Sequence, residues 1–248
     1  MKTIAVINQK GGVAKTTTAH NIGAGLALRG RKILFIDLDP QCSLSLIVGA
    51  NTEGITVLDV LTRKAKANEA IQRGSQFDII AASEGLAADG ILTSTGKEYR
   101  LKEALQTLSG CGYEFVILDC PPSLGILTIN ALTAADTCLI PVQAETLSLQ
   151  ALRQIYPTIE TIRTYTNKDL SVSGIIVTRY NGRAILSREA VEMIEAQAQE
   201  MGTKVYCAKI RESIAIKEAQ AMHNDIFTYA LRSNPSQDYQ SLLNEMEL

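Results

Sequence analysis

An apolar run, Thr3-Ile4-Ala5-Val6-Ile7, passes through Lys10-Gly11-Gly12-Val13-Ala14-Lys15-Thr16-Thr17 into a helix-period pattern. A strand that turns on glycine directly into a helix is what a phosphate-cradling loop requires. The glycines let backbone N–H groups turn inward toward phosphate oxygens. The start of the helix adds the positive end of its dipole. Within the cradle Gly11, Gly12, Val13, Ala14, Lys15, Thr16 and Thr17, Lys15 can reach the β- and γ-phosphates and the Thr16 hydroxyl can ligate Mg²⁺. The stretch therefore predicts a nucleoside triphosphate site.

The rest of the chain repeats the alternation. Apolar runs at 2–8, 32–37, 77–81, 114–119, 137–142, 171–178 and 204–207 read as strands, and 16–29, 124–135, 146–165 and 187–201 as helices. Short helices are expected near 56–63 and 67–72, and a small helical excursion over 83–100. Continuously apolar strands alternating with helices predict an α/β fold of P-loop NTPase type, a mainly parallel twisted β-sheet with helices on both faces. Ligands in such sheets sit at the carboxyl ends of the strands. No linker or repeat divides the chain, so residues 1–248 read as one domain.

Composition narrows the class further. With no Trp and four Phe, the core must be mainly aliphatic. A net charge of −2 argues against a strongly basic nucleic-acid protein but leaves room for a local patch. No apolar run is long enough for a transmembrane helix, and a strand that begins at once leaves no room for a signal peptide. Cys42, Cys111, Cys120, Cys138 and Cys207 contain no C-x-x-C pair and read as reduced thiols of a cytoplasmic protein. His20 and His223 are too few and too far apart to suggest a metal site.

Two apolar strands end in acids. Ile33-Leu34-Phe35-Ile36-Asp37-Leu38-Asp39-Pro40-Gln41 sends Asp37 and Asp39 to the same side by alternation. Buried carboxylates at a strand end are costly unless a cation or donors meet them, and Mg²⁺ with its waters would do so. Phe115-Val116-Ile117-Leu118-Asp119-Cys120-Pro121-Pro122-Ser123 is the second such run, in which Asp119 should hold a Mg²⁺-bound water. Pro121 and Pro122 stiffen the following loop, which could report whether the γ-phosphate is present.

The glycine loop departs from G-x-x-x-x-G-K-[ST], with Gln9 and Ala14 where that pattern has glycine and an extra lysine at Lys10. K-G-G-x-x-K-T-T, D-x-D-P-Q and D-x-P-P-S-x-G together resemble the deviant P-loop ATPases of the ParA/MinD class, and most closely the DNA-partition ATPases. Pro141-Val142-Gln143-Ala144-Glu145, Ile210-Arg211-Glu212-Ser213, Glu218-Ala219-Gln220 and Ser233-Asn234 extend the likeness over most of residues 2–247. The resemblance implies ATP and Mg²⁺ as cofactors. It implies that Lys10 acts across a homodimer interface, that Asp39 positions the attacking water beside Lys15, and that Asp37 supports the metal shell with Thr16 and Asp119. Thr178, Arg179 and Arg211 would flank the base. The family carries Gly where this chain has Ala14. A left-handed backbone there would cost roughly 1 kcal/mol or more, whereas a helical one would make Ala harmless.

The same resemblance implies non-specific DNA binding by the ATP dimer and a centromere-binding, ParB-like partner that stimulates hydrolysis at the nucleoid. It also implies the small form, without the extra N-terminal DNA-binding domain of larger plasmid relatives. Candidate contacts are Arg179, Arg183, Arg188, Lys204, Lys209, Arg211, Lys217 and Arg232, with Arg183 and Arg232 foremost. A further family arginine aligns with Ala215. Acids interleave these bases, so any patch must arise by folding and by doubling in a dimer. The rival is a membrane-cycling MinD-type ATPase, which anchors through a basic amphipathic C-terminal helix. Tyr239, Leu242, Leu243 and Met246 do form a stripe here. The tail around it carries Asp238, Glu245 and Glu247 and no base after Arg232, so no membrane is expected and the stripe should dock on the core. A further reading takes Ala14 as slowing hydrolysis, leaving a nucleotide-gated scaffold. Electron transfer is disfavoured because no suitable cysteine pair is present.

Overall fold

A computed structural model describes residues 1–247 apart from 89, 91 and 146. In chain order the elements are β1 (Lys2–Val6), α1 (Lys15–Leu28), β2 (Ile33–Asp37), α2 (Ser43–Ile47), α3 (Val57–Leu61), β3 (Ile71–Arg73) and β4 (Asp78–Ile80). Then come α4 (Arg100–Gln106), β5 (Phe115–Asp119), α5 (Ile126–Ala134), β6 (Thr137–Gln143), α6 (Leu147–Tyr165) and β7 (Ser171–Tyr180). The chain closes with α7 (Ile185–Glu200), β8 (Val205–Arg211), α8 (Ile214–Ala221), α9 (Ile226–Ala230) and α10 (Asn234–Glu245). The strands form one sheet in the order β3-β4-β2-β5-β1-β6-β7-β8. Every neighbouring pair is parallel except β3 with β4.

Alternation along each strand builds two cores. Ala5, Leu34, Ile36, Val116, Leu118 and Ile140 face one side, where α3 to α7 supply Leu61, Leu105, Leu132, Ile155 and Ile194. Ile4, Val6, Ile33, Phe35, Ile117 and Leu139 face the other, covered by α1, α9 and α10. Both faces are thus sealed by aliphatic residues, as a parallel sheet requires. The stripe Tyr239, Leu242 and Leu243 is buried in the second core, so α10 docks as expected. Its Glu245 carboxylate accepts from the Cys207 and Ala208 N–H groups at 2.8 and 2.7 Å, which caps donors on the outer edge of β8.

Residues 67–72 depart from the expected helix. Ala67–Glu69 make a single 3₁₀ turn and Ile71–Arg73 form the antiparallel edge strand β3. The Gln72 amide is held by the backbone of Asn51 at 2.7 and 2.8 Å, a tertiary contact invisible to local periodicity. Helix α2 follows Asp37 and Asp39 at the end of and just beyond β2 and was not expected from the pattern.

Candidate nucleotide-binding site

The order β2-β5-β1-β6 places the carboxyl ends of four strands around the loop between β1 and α1. Gly12 has φ 76° and Ala14 has φ 64° and ψ 36°, so Ala14 adopts the left-handed conformation that favours glycine. Four carbonyls of the stretch, those of Lys10, Gly12, Val13 and Ala14, are each met by a donor. Gln143 Nε2 donates to the Gly12 carbonyl at 2.7 Å, and the Thr178 hydroxyl lies 3.0 Å from the Val13 carbonyl. Lys15 Nζ donates to the Lys10 carbonyl at 3.2 Å, and the Thr18 N–H to the Ala14 carbonyl at 2.9 Å. Among the described residues, the N–H groups of Gly11, Gly12, Val13 and Ala14 donate to nothing in the protein. Carbonyls out and N–H groups in is the polarity of an anion cradle.

Below the loop the strand-end acids converge. Asp37 and Asp119 are register partners on β2 and β5, and both are fully buried. Asp37 is satisfied by Ser45, whose N–H and hydroxyl donate to Oδ2 at 2.8 and 2.7 Å, and by the Asp39 N–H at 3.0 Å on Oδ1. Burial still pushes Asp37 up to about 6. Asp119 is the opposite case, since neither carboxylate oxygen meets a donor in full hydrogen-bond geometry. Burial, then the charge of Asp37, holds Asp119 well above the usual carboxylate range, while the Thr16 hydroxyl and Lys15 pull the other way. Desolvation lowers the Lys15 ammonium, and Asp119 and Asp39 oppose that. Two orphaned carboxylate oxygens are what a buried cation would resolve. Among the described residues no ready-made cage of three protein ligands exists. Mg²⁺ commonly keeps waters and takes phosphate oxygens beside one or two protein ligands. Thr16, Asp119 and, through its neighbours, Asp37 would hold such an ion.

A cavity of about 820 Å³ opens above the loop. Gly11, Gly12, Ala14, Lys15, Thr16, Thr17 and Asp39 line its floor, while Val13 is buried in the core. Its far wall carries Thr178, Arg179 and Arg211, the three positions expected beside a base. Their groups are already engaged. The Thr178 side chain is fully buried against the Val13 and Val142 carbonyls. Arg179, at φ 50°, forks onto Glu212 at 2.8 and 3.2 Å. Arg211 forks onto Asp238 of α10, with Nη2 2.6 Å from Oδ1. The structure thus makes Thr178 a clamp on the loop and ties the two arginines to acids. Lys10 lies outside the cavity lining and pairs with Glu145, two residues beyond β6. Arg183 and Arg232 are exposed, away from the cavity.

Gln143, Ser45, Gln220 and Tyr239 were not singled out as site residues. Gln220 Nε2 reaches the Thr17 hydroxyl at 2.9 Å and links α8 to the loop, while Tyr239 lines the cavity from α10. Only Gln143 carried a legible signal, a polar residue closing an otherwise apolar strand.

Fold, loop and acids define a phosphate-binding-loop α/β protein. A family model described as an AAA domain matches residues 1–172. The chromosome partitioning protein ParA of Caulobacter vibrioides is 38% identical over 253 residues, covering 99% of this chain and 94% of that one. Among solved structures, an ATP complex of a substituted Cyanothece McdA superposes with TM-score 0.90 at 25% identity, covering 100% of this chain and 97% of that one. A Mycobacterium smegmatis structure described as cobyrinic acid a,c-diamide synthase, with an ATP analogue and magnesium, gives TM-score 0.85 at 34% identity, covering 98% and 93%. This chain belongs to the ParA family of P-loop partition ATPases. Among the described residues no helix is long and apolar enough to cross a membrane.

Proposed function

We propose that this protein is an ATP-dependent DNA-segregation ATPase, acting as one domain over residues 1–248. It binds Mg·ATP, dimerises across the nucleotide, holds DNA non-specifically and lets go on hydrolysis. The observation that carries the reading is the juxtaposition of four undonated loop N–H groups with Lys15 and the orphaned Asp119. Bound ATP and Mg²⁺ would satisfy all of them together. Thr16 and Asp119 would hold the Mg²⁺, which would supply charge neutralisation for the triphosphate. Loop N–H groups and Lys15 hold the triphosphate, and Asp39, at the cavity floor, orients a water toward the γ-phosphate. Asp39 Oδ1 accepts from the Gln41 N–H at 3.0 Å, which orients the side chain there.

Lys10 supplies the remaining cation from the opposite protomer. In a single chain it rests on Glu145, so pairing must release it, and hydrolysis then depends on dimerisation. Exposed Arg183 and Arg232, doubled in the dimer, provide the DNA contacts at the nucleoid. A centromere-binding, ParB-like protein accelerates turnover, which is slow alone. The decisive experiment compares wild type with Lys10→Ala and Lys15→Ala. Lys15→Ala should lose Mg·ATP binding, and Lys10→Ala should bind it but lose ATP-dependent dimerisation and turnover. Full turnover and dimerisation by Lys10→Ala would overturn the trans mechanism. DNA association that ignores both ATP and salt would overturn the segregation reading.

A further inference from the structure

Helix α8 is closed by a residue whose backbone favours glycine. The His223 N–H donates to the Gln220 carbonyl at 3.1 Å and the Asn224 N–H to the Ala219 carbonyl at 2.9 Å. In this paired closure the residue after the helix cap turns left-handed, and glycine is usual there. The chain has His223 instead, at φ 55°. A side chain retained on such a backbone points to work done by that side chain.

The ring reaches a second helix. Its Nδ1 donates to the Leu46 carbonyl at 2.9 Å and lies 3.3 Å from the Ile47 carbonyl, at the end of α2. Carbonyls only accept, so the proton sits on Nδ1. Among the described residues no other hydrogen bond or ion pair joins 43–47 to 214–223. Both helices wall the loop cavity, α2 through Leu46 and Ile47 and α8 through Ile216 and Gln220. His223 does not line the cavity itself, so any effect on a ligand passes through α2.

α2 has five residues, too few to hold its place by its own hydrogen bonds. Near its start the Ser45 hydroxyl donates to Asp37 Oδ2, and Asp37 Oδ1 accepts from the Asp39 N–H. Its end rests on His223, and α8 is fixed in turn by Gln220 on the Thr17 hydroxyl. A continuous chain of contacts therefore runs from the loop helix through α8, His223 and α2 back to the strand-end acids.

We propose that His223 is a positioning residue for the nucleotide. Its ring clasps the end of α2 to the end of α8 and keeps that wall of the cavity closed around bound Mg·ATP. Without the clasp the end of α2 swings free and the nucleotide leaves sooner. The inference rests on the loop cavity being the Mg·ATP site.

Stopped-flow release of a fluorescent ATP analogue from the full chain with Mg²⁺ tests it. His223→Gly suits the left-handed backbone and deletes the ring, so release should be about fivefold faster, the worth of one net hydrogen bond. His223→Asn also tolerates that backbone, and its amide N–H donor stands as many bonds from Cα as Nδ1 does. Release from it should stay within about twofold of wild type. In the nucleotide-free chain the amides of Leu46, Val48 and Ala50, bonded within and just after α2, should exchange faster with solvent in His223→Gly but not in His223→Asn. Those of β1 and β5 should not change, which excludes a general loss of stability. Wild-type release from His223→Gly, or release from His223→Asn as fast as from His223→Gly, would overturn the proposal. If wild type took up no Mg·ATP, the reading of the cavity would fall. Unchanged exchange of the α2 amides in His223→Gly would overturn the clasp in either case.

Discussion

Ala14 is where strain and function meet, and its replacement by glycine has a calculable outcome. At φ 64° and ψ 36° its Cβ sits in a region that costs an L-residue about 1–2 kcal/mol. Glycine removes that cost but gives the unfolded chain more freedom, which subtracts about 0.4–1 kcal/mol. The difference leaves Ala14→Gly more stable by roughly 0.5–1 kcal/mol. For a chain of this length that is a rise in Tm of about 1–4 °C. A β-branched side chain is worse than Ala at positive φ, so Ala14→Val should lose at least about 1 kcal/mol. Denaturant unfolding at fixed protein concentration and without nucleotide reads both variants, with equal m-values as the control on the unfolded state. Loss of more than about 0.5 kcal/mol in Ala14→Gly, or no loss in Ala14→Val, would refute a left-handed Ala14. If the strain also slows hydrolysis, Ala14→Gly should release phosphate faster with DNA and partner present.

Other consequences follow from single contacts. Thr178→Val leaves the Val13 carbonyl without its donor, which should cost about 1–3 kcal/mol and weaken Mg·ATP binding, whereas Thr178→Ser should retain both. Burial depresses His20 to about 4 from its ordinary 6.5, so the unfolded chain takes up that proton first as pH falls. Stability from this group is complete above pH 6.5 and is lost toward pH 4, by at most roughly 3 kcal/mol. His20→Leu should flatten that limb relative to wild type in urea melts between pH 6.5 and 5. Gly23→Ala would place Cβ 2.2 Å from Phe35 Cζ, and the overpacking should cost about 1–3 kcal/mol by chemical denaturation.

Much of the fold could be read because it repeats a local rule. Runs such as Ile33–Asp37 and Phe115–Asp119 are apolar on both faces and end in an acid, so strand type, parallel pairing and the side that carries the site were all legible. Short elements were not. β3 forms by pairing with β4 while Gln72 binds Asn51, and α2 brings Ser45 back onto Asp37, contacts that lie outside any local period. The same limit applied to the base-side residues. Motif position brought Arg179 and Arg211 to the cavity wall, but only the fold brought Glu212 and Asp238 to meet them.

The chain's own order determined the loop, its lysines and the acids at the ends of β2 and β5, because glycine conformation and strand alternation are local properties. Tertiary structure decided the charge state and direction of those groups. Asp37 and Asp119 carry the same side chain on neighbouring strands, yet only Asp37 finds donors. Gln143 and Thr178, more than a hundred residues from the loop, turn its carbonyls outward. Two glycines in α1 make sense only once Phe35, Leu243 and Phe227 pack against them. Burial and long-range donors are not encoded in any short window of sequence, and they set what the motif can bind.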